Sequence, residues 1–318
     1  MKKVCLVGTG ALGIRHLEGL LKARAALDIA VVDLSQEALA NAQKVAGEHA
    51  AHHVSCSSEM PQGDIDLAII ATTAGHRASA VKKLLESANV RAMVLEKILF
   101  TERQSYDEIG TLFKERSVRA WVNCPLRLMP MRREMKDMLK GAPCAIHFNG
   151  GSQYGLMTNI MHYADYASFL AGAQDFEVET SMLSPEILES KRSGYKELQG
   201  SVTLRFKNGS IVLMTTLAHP RSRRTTIAGK TIRAVFDEGE NTARVAEESG
   251  NWIWKEHAAP ILFQSAMTGP LAEEILSTNS CQLPTFGESV ALHLRILNPI
   301  AAFLEKHGKT FDMEFPFT

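Results

Sequence analysis

Residues 2–33 read KKVCLVGTGALGIRHLEGLLKARAALDIAVVD, and this stretch decides the fold. An apolar run ends at Val7, and a turn with three glycines follows it. A helical pattern then leads to a second apolar run, which ends at Val32 and is followed directly by Asp33. Strand, glycine turn, helix and strand in this order predict a βαβ unit within a parallel sheet.

The glycines of the turn have separate roles in such a unit. Gly8 allows the tight turn, Gly10 lets the backbone approach a pyrophosphate, and Gly13 lets the helix pack closely on the sheet. The N–H groups at the helix start would face the phosphates of a dinucleotide. A domain whose glycines serve only packing is the alternative. The residues predicted to line the cofactor in this unit are Gly8, Thr9, Gly10, Ala11, Leu12, Gly13 and Asp33.

Asp33 bears on which dinucleotide is bound. It lies about 20 residues after Gly13, where a carboxylate can accept hydrogen bonds from the adenosine ribose. Its charge would repel a 2′-phosphate, and Leu34 and Ser35 bring no adjacent cation. We therefore expect NAD as the cofactor, with NADP less favoured.

The composition argues against several classes of partner. Among 318 residues, 35 Lys plus Arg balance 35 Asp plus Glu, so the charge gives no general reason to bind nucleic acid or an anionic membrane. No apolar run reaches the length of a membrane span. The five cysteines show no C-x-x-C spacing, which favours reduced thiols in a cytoplasmic protein.

The pattern along the chain changes near residue 123. Before it, short apolar runs alternate with helical periodicity, which predicts an α/β Rossmann domain with a doubly wound parallel sheet over residues 1–122. Residues 123–318 are expected to form an α+β domain for substrate binding and oligomerisation, with an open-faced, mainly antiparallel sheet. Asn208-Gly209 is a strong hairpin signal in it. An uncovered sheet face also predicts a homo-oligomer, either a dimer or a tetramer. The strands predicted for the first domain are Val4–Val7, Ile29–Val32, Asp66–Ala71, Ala92–Leu95 and Ala120–Val122.

Two polar clusters have alternative interpretations. His49, His52 and His53 are close in sequence, but no cysteine or acid stands beside them at ligand spacing. A solvated turn is therefore favoured over a metal site. The basic run His219–Arg224 is typical of a solvated edge that blocks sheet aggregation, and binding of a substrate phosphate or carboxylate is the alternative.

Several segments resemble one known family over nearly the whole chain. The matching pieces are VGTGALGIRH (7–16), ATTAGHRASAV (71–81), VLEKIL (94–99), VNCPLR (122–127) and GLMTNIMHYADYASFLAG (155–172). They resemble the Gfo/Idh/MocA oxidoreductases, the group of glucose-fructose oxidoreductase and inositol dehydrogenase. The resemblance implies a nicotinamide-dependent dehydrogenase of sugars or cyclitols, with a Rossmann domain and an open-faced sheet domain.

Glu96 and Lys97 directly follow a predicted strand, which sets Lys97 at the carboxyl end of the sheet. A lysine there can hold a substrate hydroxyl and stabilise alkoxide character as a hydride leaves. The pair resembles the family's Glu-Lys-Pro motif, and a solvated lysine is the alternative. The family's proline is Ile98 here, so the peptide bond is expected to be trans, which would re-aim Lys97.

The turn after the preceding strand holds further predicted cofactor contacts. Ala71, Thr72 and Thr73 end that strand, and the family places this turn beside the ribose and nicotinamide. His76 opens the next helix. It is expected either to contact the cofactor or to cap the helix.

His162 is the best candidate for proton exchange. In a predicted helix, Thr158 lies one turn before it and Asp165 nearly one turn after it, so the side chains share a face or nearly so. An imidazole can accept a hydroxyl proton during oxidation and return it during reduction. Asp165 would fix the ring's tautomer or cap a neighbouring strand. A histidine satisfied within the core is the alternative.

The same segment departs from the family. Members often have Asp-x-Gly-x-His-x-x-Asp, and Thr158 replaces the first acid. Thr158 or Asn159 can hydrogen-bond a hydroxyl but cannot take a proton at neutral pH, so a carboxylate that assists the base is missing. The stretch resembles a variant among members linked to bacterial surface sugars. The residues predicted to contact the substrate are Asn123, Arg127, Tyr154, Thr158, Asn159 and His162.

The leading hypothesis is an NAD-dependent oxidoreductase that acts on a small sugar-like molecule, with Lys97 polarising the oxygen and His162 exchanging its proton. The departures at Ile98 and Thr158 favour a second hypothesis, a cofactor-binding sensor or partner subunit that no longer turns over. Reduction of an imine or a conjugated double bond is a third.

Overall fold

The computed structural model describes residues 1–47, 51–151, 155–217 and 223–318. The chain divides into two compact units. The first comprises Met1–Asn123 and Leu262–Gly287, and the second comprises Cys124–Ile261 and Glu288–Thr318. The sequence had suggested one continuous domain over 123–318, whereas the segment Leu262–Gly287 packs with the first unit.

The first unit is built on a parallel sheet of six strands. Their order across the sheet is β3-β2-β1-β4-β5-β6, the order of a doubly wound Rossmann sheet. All five pairings are parallel, which confirms the expected fold class. The strands are β1 (Lys2–Val7), β2 (Leu27–Val32), β3 (His53–Ser57), β4 (Gly63–Ile70), β5 (Ala88–Leu95) and β6 (Arg119–Val122).

Four helices connect these strands, and a fifth helix returns from the end of the chain. The connecting helices are α1 (Ala11–Leu20), α2 (Gln36–Ala46), α3 (Ala74–Ser87) and α4 (Arg103–Glu115). The strand β3 was missed from the sequence because it alternates exposed and half-buried residues and has no apolar run. His52, just before it, is not solvated as expected. Its side chain is buried, with its ring nitrogens near Leu27 N and Leu21 O. His49 lies outside the described residues.

The returning helix, α7 (Gln264–Thr278), packs against α1 at a glycine contact. A Cβ atom on Gly269 would lie 2.7 Å from the carbonyl oxygen of Gly19, and one on Gly19 would lie 2.7 Å from Thr268 Cβ. Two backbones this close leave no room for larger side chains. This contact is the physical reason that the segment groups with the first unit.

The second unit holds a mixed, mainly antiparallel sheet of eight strands, as expected. Their order is β16-β15-β14-β13-β7-β12-β11-β8, and only the β7–β12 pair is parallel. Two short strands, β9 and β10, form a separate pair. The strands are β7 (Cys144–Gly151), β8 (Phe176–Glu179), β9 (Leu188–Glu189), β10 (Lys196–Glu197), β11 (Gly200–Phe206), β12 (Ile211–Leu217), β13 (Arg224–Gly229), β14 (Ile232–Asp237), β15 (Thr242–Glu247) and β16 (Lys255–Ala258).

The hairpin predicted at Asn208-Gly209 joins β11 to β12. Gly209 has φ +89°, and its N–H donates to the carbonyl oxygen of Phe206. Short 3₁₀ helices span Pro125–Leu128 and Glu248–Gly250. The α-helices of this unit are α5 (Pro130–Leu139), α6 (Leu156–Ala171) and α8 (Phe286–Lys306), whose first two residues group with the first unit.

No helix in the described ranges is both long and apolar enough to cross a membrane. All five cysteines are free thiols. Burial raises the pKa of the Cys5 thiol to about 12, so this thiol stays protonated in its apolar surroundings.

Candidate functional site

The register of the parallel sheet brings five predicted residues to one edge. Val7 pairs with both Val32 and Ile70, Ile70 pairs with Leu95, and Leu95 pairs with Val122. The next residue of each strand therefore stands at the carboxyl edge of the sheet, where doubly wound folds bind ligands. These residues are Gly8, Asp33, Ala71, Glu96 and Asn123.

The glycine turn has the geometry that the sequence predicted. Gly8 has φ +91°, a conformation that favours glycine. A Cβ atom on Gly13 would lie 1.9 Å from the carbonyl oxygen of Gly8, so only glycine allows this approach of helix to strand. A Cβ on Gly10 would meet nothing within 4 Å, which leaves that side of the turn open. Gly10 caps α1 without a side-chain hydrogen bond.

Asp33 holds the turn from the neighbouring strand. Its Oδ2 accepts hydrogen bonds from Thr9 N at 2.6 Å and Thr9 Oγ1 at 3.0 Å. Its Oδ1 accepts one from Ser35 N at 2.9 Å. A carboxylate has about four acceptor positions, so Asp33 can bind the turn and still accept a ribose hydroxyl.

The turn after β4 lies against the glycine turn. A Cβ on Gly8 would be 2.8 Å from Thr72 N. Thr72 Oγ1 is buried and has no hydrogen-bond partner within the protein, as expected for a group that meets a polar ligand. The N-cap of α3 is Thr73, and His76 lies exposed in the first helical turn. His76 therefore does not cap the helix, and its cofactor contact stays a prediction.

These features fit a dinucleotide. The open side of Gly10 and the uncapped start of α1 would take a pyrophosphate, Asp33 would take the adenosine ribose, and Thr72 Oγ1 would take a further polar group of the ligand. When bound, the nicotinamide ring accepts or donates a hydride.

Lys97 is buried beside these residues and is not the solvated lysine of the alternative interpretation. Its relative exposure is 7%. The Lys97-Ile98 peptide bond is cis, although proline is absent and a trans bond was expected. Arg77, fully buried in α3, donates hydrogen bonds to the carbonyl oxygens of Ile98, Leu99 and Thr72. Arg77 thus connects the turn after Lys97 to the turn that contains Thr72, a role that the sequence did not indicate.

Glu96 forms the centre of a buried polar network. Its Oε1 lies 3.0 Å from His16 Nε2 and accepts a hydrogen bond from Asn123 Nδ2 at 2.5 Å. His16 Nδ1 lies 2.9 Å from Thr268 Oγ1, which also accepts a hydrogen bond from Gln264 Nε2. Burial alone would raise the pKa of Glu96, but its bonded partners and the Lys97 charge lower that pKa to about 2. Glu96 is therefore a stable anion next to the lysine.

Asn123 belongs to this network. Its Nδ2 donates to Gln264 Oε1 at 2.9 Å as well as to Glu96, and its relative exposure is 2%. The amide nitrogen is thus engaged inside the first unit, and the substrate contact of Asn123 stays a prediction. The network also depends on α7, which lies some 140 residues further along the chain, beyond the reach of local patterns.

In the second unit, Thr158 and His162 are half-buried and lie on one face of α6, and the Nδ1 atom of His162 is buried. The helix buries 13 of its 16 residues, and the exceptions are Thr158, His162 and Phe169. Residues four apart are neighbours on a helix surface. The structure therefore presents a hydroxyl and an imidazole side by side, as the sequence predicted.

A carboxylate that the sequence analysis missed accepts hydrogen bonds from Thr158. Glu197, from β10, accepts hydrogen bonds from Met157 N at 2.8 Å, from Thr158 N at 2.9 Å and from the Thr158 hydroxyl. Its relative exposure is 7%. This carboxylate comes from 39 residues away and bonds Thr158, and the expectation that the base lacks an assisting carboxylate stays a prediction. Nothing in the local sequence marks it.

Arg127 and Asp165 pair with each other. Arg127 Nε donates to Asp165 Oδ2 at 2.9 Å, and Arg127 Nη2 donates to Oδ1 at 2.5 Å. Burial raises the pKa of Asp165 to about 7, the Arg127 charge only partly offsets that effect, and Glu288 adds to it. Both acceptor oxygens of Asp165 thus face Arg127, in place of the expected bond to His162. Substrate binding by Arg127 stays a prediction.

Asn159 and Arg223 are joined to a second buried carboxylate. Arg223 Nη1 donates to Asn159 Oδ1 at 3.3 Å, and its Nε lies 2.6 Å from Glu238 Oε2. Arg132 Nη2 lies 2.8 Å from the other oxygen of Glu238. Arg223 is therefore not a solvated edge residue, and the preferred interpretation of the basic run fails at this position. Arg224, more than half exposed, pairs with Asp237.

Two predicted features lie partly or wholly outside the described residues. Tyr154 is one, and His219 to Arg221 of the basic run is the other. Within the described parts of the chain, no group of three or more His, Cys, Asp or Glu side chains could hold a metal ion.

Comparison with solved structures supports the fold. An oxidoreductase from Agrobacterium radiobacter in complex with NAD⁺, L-tartaric acid and magnesium is 15% identical, with a TM-score of 0.73 over 98% of each chain. UDP-N-acetylglucosamine 3-dehydrogenase from Acidithiobacillus ferrooxidans is 15% identical, with a TM-score of 0.70 over 95% of this chain and 99% of that one. Biliverdin reductase from Synechocystis, with biliverdin and NADP⁺, is 16% identical, with a TM-score of 0.68 over 96% and 98%.

Comparison with curated proteins by sequence gave no match. A family model described as an oxidoreductase family with an NAD-binding Rossmann fold matches residues 2–124. That range contains the glycine turn, Asp33, the turn with Thr72 and the Glu96-Lys97 pair. The geometry of these features together fits a dinucleotide. Residues 2–124 are therefore similar to the NAD-binding Rossmann domain of the Gfo/Idh/MocA oxidoreductase family.

Proposed function

We propose that the protein transfers a hydride between NAD(P) and a carbinol carbon of a small sugar-like molecule, in carbohydrate metabolism. The single observation that carries this proposal is the buried Glu96-Lys97 pair at the carboxyl edge of the nucleotide-binding sheet. Solved structures of this fold include a nucleotide-sugar dehydrogenase, which supports the substrate class.

The proposed cofactor is NAD. The Asp33 side chain accepts three hydrogen bonds just after the end of β2. Its negative charge favours a ribose 2′-hydroxyl over a 2′-phosphate. Neighbouring structures bind either NAD⁺ or NADP⁺, so the preference rests on Asp33.

Lys97 is assigned the role of stabilising negative charge on the reacting oxygen. A lysine with 7% exposure has lost most of its water, which strengthens its interaction with an alkoxide-like oxygen. The positive charge of Lys97 in turn helps to lower the pKa of the adjacent Glu96 carboxyl.

His162 is assigned the exchange of the hydroxyl proton. Its side chain is one of three on α6 that are half-buried rather than fully buried. An imidazole has the acid strength needed to take this proton in oxidation and to return it in reduction.

A second candidate function is a cofactor-binding sensor that does not turn over. The observation that favours it is Thr158, which cannot take a proton at neutral pH. A third is reduction of a conjugated double bond, which is supported by the likeness to biliverdin reductase.

The test follows absorbance at 340 nm with NAD or NADP and a panel of D-glucose, myo-inositol and UDP-N-acetylglucosamine. We expect Lys97→Ala and His162→Ala to lower kcat by about 10²-fold or more, because each removes a group that acts on the reacting oxygen. The exposed Lys83→Ala and His53→Ala variants serve as controls and should keep wild-type rates. Full turnover in both site variants would refute the roles, and cofactor binding without turnover would favour the sensor.

A further inference from the structure

The side chain of Asp33 is held in one orientation by donors from two segments of the chain. Its Oδ2 accepts the N–H of Thr9 at 2.6 Å and the Thr9 hydroxyl at 3.0 Å, so a single residue bonds this oxygen twice. Its Oδ1 accepts the N–H of Ser35 at 2.9 Å. Because each oxygen is bonded to a different segment, turning the side chain away would break all three hydrogen bonds together.

Thr9 is the donor that resists such a turn most strongly. Its relative exposure is 2%, whereas Ser35 is exposed. A buried donor that loses its acceptor cannot replace it with water, so the full cost of removing the donor from water remains. An exposed N–H such as that of Ser35 can bond water instead. Thr9 therefore contributes most to keeping Asp33 in place.

The bonds that Asp33 already accepts determine what it can still bind. A carboxylate has about four acceptor positions, two on each oxygen. Thr9 occupies both positions on Oδ2, and Ser35 occupies one on Oδ1. Among the described residues, one position on Oδ1 thus remains for a donor. A ribose 2′-hydroxyl supplies a donor, whereas a 2′-phosphate brings acceptor oxygens and negative charge.

We propose that Thr9 is a specificity-determining residue, which rejects NADP by preventing Asp33 from turning away from a 2′-phosphate. An acid at this position can admit the phosphate only by moving its own charge out of the way. Thr9 acts through Asp33 and is therefore a positioning residue. The proposal rests on the proposed function, from which it takes the dinucleotide, and it gives the physical reason that NAD is selected.

A purely structural role for Thr9 makes a different prediction. If the Thr9 hydroxyl only stabilised the glycine turn, its loss would weaken the binding of both dinucleotides alike, because both carry the same pyrophosphate. If the hydroxyl restrains Asp33, its loss changes the ratio of the two affinities. The ratio of the dissociation constants for NADPH and NADH is therefore the readout that separates the two roles.

The experiment measures these dissociation constants with the full chain, from the fluorescence of the reduced nicotinamide. We expect the wild type to bind NADH about 10²-fold or more tightly than NADPH, since two like charges would otherwise meet. Thr9→Val keeps the shape of the side chain without its hydroxyl and should lower this ratio about tenfold, as expected for one hydrogen bond to a carboxylate. Thr9→Ser should retain the ratio, and Asp33→Ser should bring it to nearly 1.

Ser35→Ala is the matched comparison. It also removes a hydroxyl close to Asp33, but this hydroxyl caps α2 by accepting the N–H of Ala38 at 3.2 Å. The N–H of residue 35, which bonds Asp33, is retained. The ratio of the two dissociation constants should therefore stay at the wild-type value, even though the start of α2 loses its cap.

The proposal is overturned if Thr9→Val keeps the wild-type ratio, or if it weakens the binding of both dinucleotides by one factor. Equal binding of NADH and NADPH by the wild type would overturn it as well. Thermal unfolding identifies any variant that fails to fold, and Thr9→Ala removes the same hydroxyl if Thr9→Val is one of them.

The binding measurement separates this proposal from the proposed function, because it does not require turnover. The expected change of ratio in a protein that oxidises no sugar would support the role of Thr9 and favour the sensor. Absence of binding of either dinucleotide to the wild type would instead remove the proposed function, and the role of Thr9 with it.

Discussion

Glu96 in the first unit and Asp165 in the second are both buried carboxylates, yet their pKa values move in opposite directions. The relative exposure of each is 3%. The pKa of Glu96 is lowered to about 2, while that of Asp165 is raised to about 7. Asp165 has the stronger formal partner, the bidentate guanidinium of Arg127.

The difference lies in what surrounds each pair. Glu96 accepts bonds from the His16 ring and the Asn123 amide, and Lys97 adds a positive charge. Asp165 has one cation, and Glu288 nearby opposes its charge. Removal from water disfavours a charge by several kcal/mol, and a single ion pair does not always offset that. Several donors around one anion stabilise it better than one bidentate cation.

The largest expected effect comes from breaking the Glu96 network at His16. We expect His16→Ala to lower the free energy of unfolding by about 3 kcal/mol at pH 7, since it leaves a buried anion without a main partner. Urea denaturation measures this. His53→Ala is the control, because His53 also pairs with a carboxylate, Asp28 at 2.7 Å, but its side chain is 69% exposed. Its expected effect is below about 1 kcal/mol, and equal losses in the two variants would contradict the comparison.

A smaller effect is expected from Arg127→Met. Asp165 already has a raised pKa and can hold a proton when its cation is removed, so the loss should be about 1–2 kcal/mol near pH 6. The loss should grow above pH 7, where keeping that proton becomes harder. Unfolding by urea at pH 6 and pH 8 measures it, with the exposed Arg205→Met, whose partner is Glu179, as control. A loss that does not depend on pH would argue against the raised pKa.

Per pH unit, the smallest effect is in the pH dependence of stability, where the two carboxylates should act with opposite sign. The folded pKa of Glu96 lies below its model value of 4.5, so its contribution is present above that pH and is lost as pH falls towards 2. The folded pKa of Asp165 lies above 3.8, so its contribution falls as pH rises from 3.8 to about 7. Each slope is at most about 1.4 kcal/mol per pH unit.

Unfolding free energies of the wild type, Glu96→Gln and Asp165→Asn from pH 2 to 8 separate the two slopes. Relative to the wild type, Glu96→Gln should gain stability on acidification below pH 4.5. Asp165→Asn should gain as pH rises towards 7. If both variants gained stability relative to the wild type in the same direction of pH change, the pKa values of the two carboxyls would be shifted in the same direction, which would contradict the comparison.

Local patterns were sufficient for the fold and for the cofactor turn. The glycine turn needs three glycines within six residues, and buried parallel strands need apolar runs, so both are visible in a short window. The strand His53–Ser57 was missed because half-exposed strands lack that signal. The short β9 and β10 strands were missed for a similar reason, since two-residue strands have no periodicity.

The partners of the site residues could not be predicted, because they arrive from distant parts of the chain. Glu197 reaches Thr158 across 39 residues, and Gln264 reaches Asn123 across 141. Arg223 was assigned to a solvated edge because a run of basic residues does not show that Glu238 lies beside one of them. Residue type and spacing identified candidate groups, whereas tertiary contacts determined which groups they bond.

The glycine contact between α1 and α7 affects how the protein is made on the ribosome. The nucleotide-binding unit needs Leu262–Gly287 to cover α1 and to supply Thr268 to His16, and these residues are synthesised after most of the other unit. While about 140 further residues are synthesised, the first 123 residues therefore lack the helix that packs on α1. Completion of the first unit is thus a late event in synthesis, and a fragment ending at Asn123 would expose the face of α1 that Gly269 normally covers.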